Sequence, residues 1–372
     1  MSFPPPSPAV SRRSRRGAVA GTCAAVVSTA AVLAAAPPRG APPSPAAAAP
    51  EVRLEPDEAR HRIDVMVGGD LFTSYRHDPA LKKPVLYPLR SDRGQAVTRG
   101  FPLDPRPGDS ADHPHHVGLW LNYGDVNGVD FWNNSSARPA EEQTRMGTVR
   151  HARVVSAAGG VGRAVLEVEM DWLMPGGEAG LHERTRFVFH AREGARVVDR
   201  ITSLEATKGR VAMTDNKEGL LGLRVARSLE HSSKRARTFL DGQGRATKVD
   251  PARAGEAGGR YLTSEGVEGE AVWGTRGRWA LLTGRADGAE VTVAILDHPE
   301  NPGFPTYWHA RGYGLFAANP LGARVFTEGK DRLGFAVEPG RPARFRYRVV
   351  ILSKRAGGEE IEVLSQEFAR ER

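Results

Sequence analysis

The chain has 372 residues, 40% hydrophobic and 26% charged, a globular balance that excludes both a largely disordered polymer and a polytopic membrane protein. The net charge is +8, but residues 1–49 hold five arginines and no acid, so the remainder carries only +3. No dense basic run follows beyond Lys234-Arg235-Ala236-Arg237, and nucleic acid is not an expected partner.

The N-terminus reads as an export signal. Ser11-Arg12-Arg13-Ser14-Arg15-Arg16 is followed by an uncharged Ala- and Val-rich run over residues 17–36, then Pro37-Pro38 and Ala46-Ala47-Ala48-Ala49. Ser14-Arg15-Arg16-Gly17-Ala18-Val19 fits the twin-arginine pattern. An uncleaved anchor is the alternative, because the run is about long enough to span a bilayer. The expectation is a signal and Pro/Ala linker over residues 1–49 and a single domain over residues 50–372. The protein would then be extracellular or in the cell envelope, with no membrane contact after signal removal. The only cysteine, Cys23, lies inside the apolar run. The mature chain therefore has no disulfide, zinc–thiolate or cysteine-nucleophile chemistry.

Short strands follow in chain order. Ile63-Asp64-Val65-Met66-Val67 and Leu71-Phe72-Thr73-Ser74-Tyr75 flank Gly68-Gly69-Asp70, a hairpin pattern. Leu166-Glu167-Val168-Glu169-Met170-Asp171-Trp172 alternates with period two. Residues 186–190 and 196–201 flank Glu193-Gly194 as a second hairpin, and further strands are expected at 278–283, 290–296, 332–337 and 343–352. Ile361, Leu364 and Phe368 recur at helical spacing near the C-terminus. There is no G-x-G-x-x-G, G-x-x-x-x-G-K-[ST] or G-x-S-x-G. The fold expected is all-β, a large antiparallel β-sandwich with a short C-terminal helix.

Three polar segments break the alternation. The first is Asp112-His113-Pro114-His115-His116-Val117-Gly118-Leu119-Trp120, followed by Gly124-Asp125-Val126-Asn127-Gly128-Val129-Asp130-Phe131-Trp132. Histidine transfers protons near neutral pH and ligates metals. If extended, His113 and His115 point to one face and His116 to the other, so simple alternation puts at most two in one site. Asp125 to Asp130 partly matches a calcium loop but lacks its closing Glu. The second segment, Thr214-Asp215-Asn216-Lys217-Glu218-Gly219, pairs a Lys with a Glu. It suits either acid–base work or a solvated turn. The third is Asp297-His298-Pro299-Glu300-Asn301-Pro302, then Tyr307-Trp308-His309-Ala310-Arg311-Gly312-Tyr313-Gly314 and on to Asn319-Pro320. Aromatic rings alternating with His309 and Arg311 suit a sugar, whose C–H faces stack on rings while its hydroxyls take hydrogen bonds.

Together these motifs resemble the bacterial secreted PmoA family, which carries a methane-oxygenase label. The resemblance spans roughly residues 60–352. It implies a large β-sandwich similar to the galactose-mutarotase supersandwich and, by association, carbohydrate metabolism. It brings no agreed reaction or catalytic residues. Residue 117, usually Arg in that family, is Val117 here.

The function expected is an exported carbohydrate-active enzyme of mutarotase, lyase, epimerase or hydrolase type, acting on a sugar or oligosaccharide. The catalytic set would be His115, His116, Lys217, Glu218 and His309. The substrate-binding set would be Asp112, His113, Trp120, Asn127, Trp132, His298, Asn301, Tyr307, Trp308, Arg311 and Asn319. The carboxylate pair of ordinary glycosidases is not evident from spacing. Two alternatives stand beside it. One is a non-catalytic sugar-binding module. The other is a metal-dependent oxygenase, with Asp112, His113 and His115 holding a divalent ion. The sequence itself requires no cofactor.

Overall fold

The computed structural model describes residues 49–232, 236–250 and 257–371. The expected export signal, with Cys23, lies outside the described residues. The chain beyond residue 47 forms one compact unit.

Two large antiparallel sheets make up the body. The first has nine strands, in spatial order Tyr307–Ala310, Leu315–Asn319, Leu221–Arg224, Leu119–Leu121, Val85–Leu86, Asp70–Arg76, Arg62–Val67, Glu51–Asp57 and Gly160–Val161. The second has eight, ordered Arg260–Thr263, Trp279–Ala286, Ala289–Asp297, Ala343–Leu352, Ala195–Ala206, Ala179–Arg192, Arg163–Leu173 and Thr148–Ala158. Their inner faces share one apolar core. Phe72 of the first sheet, for example, meets Phe189 of the second edge-to-face at 6.2 Å. This is the large antiparallel β-sandwich that the alternating strands imply.

The glycine turn at residues 68–69 closes the first hairpin, both residues adopting positive φ that favours glycine. Arg163–Leu173 alternates because only one of its faces meets the core. The C-terminal helix Gly358–Arg370 buries Ile361 and Phe368 against the outer face of the eight-stranded sheet, over Trp279, Leu296 and Val350.

One expected strand does not form. Of residues 332–337 only Ala336–Val337 is extended. The amides of Leu333 and Gly334 instead donate to the Asp215 carboxylate, at 3.1 and 3.0 Å, which removes them from any ladder. The long edge strand Thr148–Ala158 was not read from sequence. It is largely exposed, and two register shifts interrupt its alternation.

Candidate functional site

The outer face of the nine-stranded sheet carries the unusual chemistry. Strand alternation decides which side chains reach it. In Leu119–Leu121, both leucines enter the central core and Trp120 faces out. In Leu221–Arg224, Leu221 and Leu223 face in, while Gly222 and Arg224 face out. In Tyr307–Ala310, Trp308 belongs to the inner core, and Tyr307 and His309 lie on the opposite side.

Gly222 pairs directly with Trp120, and the indole lies across it. A Cβ at residue 222 would fall 2.4 Å from the indole Cζ2. Gly222→Ala is therefore expected to displace Trp120 and cost ~1–3 kcal/mol, the usual range for overpacking. The midpoint of urea unfolding checks this, and an unchanged midpoint would refute the packing account.

Asp112 to His116 is a turn, not a strand. His113 sits at φ 41°, and the His116 amide donates to the His113 carbonyl at 2.9 Å. This corrects the expectation that alternation would split the three histidines. Their ring centroids lie 4.3–5.7 Å apart. His113 and His116 are parallel at 5.0 Å, Tyr313 stacks on His113 at 4.7 Å, and His116 stacks on Trp120 at 5.4 Å. Trp132 meets His116 edge-on at 5.7 Å.

Arg99, buried and not singled out from sequence, holds this turn. Its guanidinium donates to the carbonyls of Ser110, Asp112, His113 and His116 and to Asp112 Oδ1, all between 2.8 and 3.0 Å. Arg224 donates to the same Oδ1 at 2.6 Å and lies 3.5 Å from Glu230. Glu230 in turn accepts from Ser110 at 2.6 Å and Arg237 at 2.8 Å. Burial pushes the Asp112 carboxyl up. His113, Arg224 and Arg99 overcome that and hold it well below the usual carboxylate range. The second Asp112 oxygen lies 3.3 Å from His113 Nδ1, and the His113 side chain keeps 40% of its surface exposed.

The other two polar segments meet on the same face. His309 Nδ1 donates to the Lys217 carbonyl at 2.8 Å and lies 4.0 Å from Glu218. Asn319 donates to the carbonyls of Asn216 and Lys217 at 2.7 and 2.9 Å, fixing that loop. Lys217 contacts the Glu218 carboxylate. Burial, with Lys217, Arg311 and His113 close by, depresses His309 to about 3. Burial followed by Lys83 presses His115 far down, and burial followed by His115 does the same to His116. Each shift favours the neutral ring, which can donate or accept a hydrogen bond there.

A cleft of 800 Å³ adjoins the histidine turn, lined among others by Asp112, Tyr313, Arg311, Trp273, Glu270 and Arg237. The Arg311 guanidinium sits 5.4 Å from the Trp273 ring and 5.9 Å from Tyr313. Trp273 is 37% exposed and was missed from sequence, being a lone aromatic without a periodic neighbour.

Five expected binding residues are placed elsewhere or otherwise engaged. Asn127 tops an exposed turn, where its Oδ1 accepts from the Ala212 amide at 2.8 Å. Trp308 faces the inter-sheet core. His298 packs edge-on against Phe368 of the C-terminal helix at 5.1 Å. Asn301 ties Asp297 to the backbone of Arg346. Tyr307 is on the outer face but lies stacked on Phe326 at 5.4 Å.

The metal alternative does not fit these residues. Asp112 already serves two guanidinium groups, and among the described residues no set of three His, Asp or Glu side chains is placed to hold an ion.

Fold and site together define a large β-sandwich protein with a polar, aromatic-walled cleft on one outer face. The chain belongs to a family of unknown function, DUF6807, whose profile matches residues 62–366. That match corrects the expected PmoA-family assignment and removes the basis for the oxygenase label. No curated protein matches the chain in sequence. Among solved structures, GH36 α-galactosidase AgaB from Geobacillus stearothermophilus is 13% identical at a TM-score of 0.37, the match covering 80% of this chain and 40% of the other. The galactosidase domain of α-galactosidase-sucrose kinase, AgaSK, is 7% identical at 0.34, covering 81% and 42%. GH36 α-galactosidase AgaA from Geobacillus stearothermophilus is 12% identical at 0.33, covering 77% and 40%. The chain thus spans about 40% of the length of these structures. At such scores no chemistry transfers from them to this chain. No helix among the described residues is long and apolar enough to cross a membrane.

Proposed function

We propose that the protein is an exported carbohydrate-active enzyme that holds a sugar in the cleft between Trp273 and Tyr313 and moves a proton with His113. The observation that carries this reading is the His113–Asp112 pair. A half-exposed imidazole has its Nδ1 against a carboxylate anchored by Arg99 and Arg224, and both its ring-stacking partner and its carboxylate line the cleft. Stacking between Tyr313 and His116 fixes the ring, Nδ1 lies 3.3 Å from the carboxylate without a hydrogen bond, and Nε2 is assigned to the substrate. Lys217, its proton affinity lowered by burial and Arg311, has its backbone bonded to His309 on the same face, and it is assigned the return of the proton. Exposed Trp273 and the Tyr313 ring offer stacking faces, and Arg311 offers donors for hydroxyls.

Among the carboxylates, Asp112 is neutralised by two arginines and Glu218 pairs with Lys217. Among the described residues that line the cleft, this leaves Glu270 as the one other carboxylate, short of the pair that ordinary glycosidases use. This favours isomerase or lyase chemistry over hydrolysis. Incubating the purified protein with a panel of oligosaccharides and monosaccharides, read by mass spectrometry and by NMR for anomer interconversion, tests the reading. Conversion of at least one sugar is expected. Binding without conversion across the panel would overturn the catalytic reading in favour of a binding module.

Export carries its own expectation. Secreted protein should begin between about Ala36 and Glu51, as N-terminal sequencing would read, and secreted material beginning at Met1 would contradict it.

A further inference from the structure

A second hollow, of 170 Å³, lies on the other side of the histidine turn, where His115 lines it. Its size is below the roughly 300–1,000 Å³ of pockets for larger organic ligands, which limits it to a small molecule. Lys83 reaches into its wall, 4% exposed. The ammonium has three donors but only one hydrogen bond, 2.7 Å to the His115 carbonyl, with the Trp120 ring 5.3 Å away. No carboxylate among the described residues lies within ion-pair distance of it. Buried ammonium groups ordinarily have such a partner, because taking the charge out of water is costly.

Other polar atoms on the same walls are also left over. Arg76 Nε, Ser135 Oγ and Asn134 Oδ1 are buried without a hydrogen-bond partner. The Asn134 amide nitrogen is committed to the Gly147 carbonyl at 2.9 Å and the Thr148 hydroxyl at 3.2 Å, so its oxygen must accept from something else. The vacant groups thus comprise two cationic donors, a hydroxyl and a lone acceptor. Leu81, Leu103 and Val117 supply an apolar flank. Burial takes Lys83 down to about 7 with Asp130 opposing, and the cationic neighbours Lys83, Arg138 and Arg224 add to burial in lowering His115.

We propose that this pocket binds a small hydroxy acid of the sugar-acid class, its carboxylate seated on Lys83 and Arg76 and its hydroxyls on Asn134 and Ser135. The carboxylate supplies the counter-charge that Lys83 lacks, and a hydroxyl proton supplies the donor that Asn134 Oδ1 lacks. This site is independent of the cleft and of the reaction assigned to it.

Thermal shift and calorimetry on the purified protein test the proposal, with glucuronate as probe, glucose as the neutral control and inorganic phosphate as the second anion. Glucuronate is expected to raise the melting temperature and glucose to leave it unchanged. Lys83→Met should weaken glucuronate binding roughly 10–100-fold, the worth of a charged hydrogen bond. Ser135→Val, which blocks the wall without touching a charge, should also weaken it and keeps the test open if Lys83→Met fails to fold. Equal shifts by glucose would overturn the proposal. So would glucuronate binding unchanged in either variant, which would place the anion on Arg311 and Arg237 of the cleft. A response to phosphate that exceeds the response to glucuronate would overturn the carboxylate assignment.

Discussion

His113→Ala is expected to lower turnover of the converted sugar by roughly 10²–10⁴-fold, the range for losing a positioned acid–base group. The melting temperature should change little, because the His113 side chain is 40% exposed and its loss opens no closed cavity. His116→Ala makes the contrasting case. That ring is buried between Trp120, Trp132 and the other histidines, so its removal should lower stability by ~1–3 kcal/mol through lost packing. Turnover per folded molecule should fall far less than for His113→Ala. Measuring turnover and melting on both variants separates chemistry from packing. Wild-type turnover in His113→Ala would leave the proposed reaction without its base.

The second large effect concerns the buried ionic network behind the turn. Glu230 and Arg224 are both 0% exposed at their side chains, and Arg237 completes the group. Glu230→Leu removes the acceptor for Arg237 and Ser110, takes a carboxylate from Arg227, and leaves Asp112 as the carboxylate partner of Arg224. Removing one partner of a buried ion pair costs ~3–5 kcal/mol, and urea unfolding should show a loss of that order. A loss below about 1 kcal/mol would mean that the network is not stabilising. Acid should weaken the same region. Asp112 has its folded-state affinity for protons depressed, so its contribution is present above the unfolded value near 3.9 and is lost as pH falls below it.

The legible parts of the sequence were those where one face of an element meets water. Leu166 to Trp172 alternates because its other face is polar, and the terminal helix shows its spacing because it covers the sheet with one stripe. The site-bearing strands gave no such signal. Leu119–Leu121 and Leu315–Asn319 are short and buried on both faces, with the central core beneath and a second cluster of Trp120, Trp132, Leu315 and Ala317 above. Their polar neighbours therefore read as loops. Lys83, Arg99 and Trp273 stood alone in the sequence, and only tertiary folding shows that one anchors the turn, one is buried without a counter-charge and one walls the cleft.

The repeated Asp-His-Pro tripeptide makes the same point. At Asp112 two arginines hold the carboxylate ionised beside an open cleft. At Asp297 the carboxylate accepts from the Thr306 amide and from Asn301, and burial drives it up to about 7 despite these bonds. Identical residues thus flank an open cleft in one place and brace a buried loop in the other.

The most direct test of the central claim is a crystal structure of the His113→Ala protein soaked with the sugar that the wild type converts. The account predicts the sugar ring against Trp273 and Tyr313, with a hydroxyl within hydrogen-bond reach of Arg311. A sugar bound anywhere outside this cleft, with the cleft empty at saturating concentration, would contradict it.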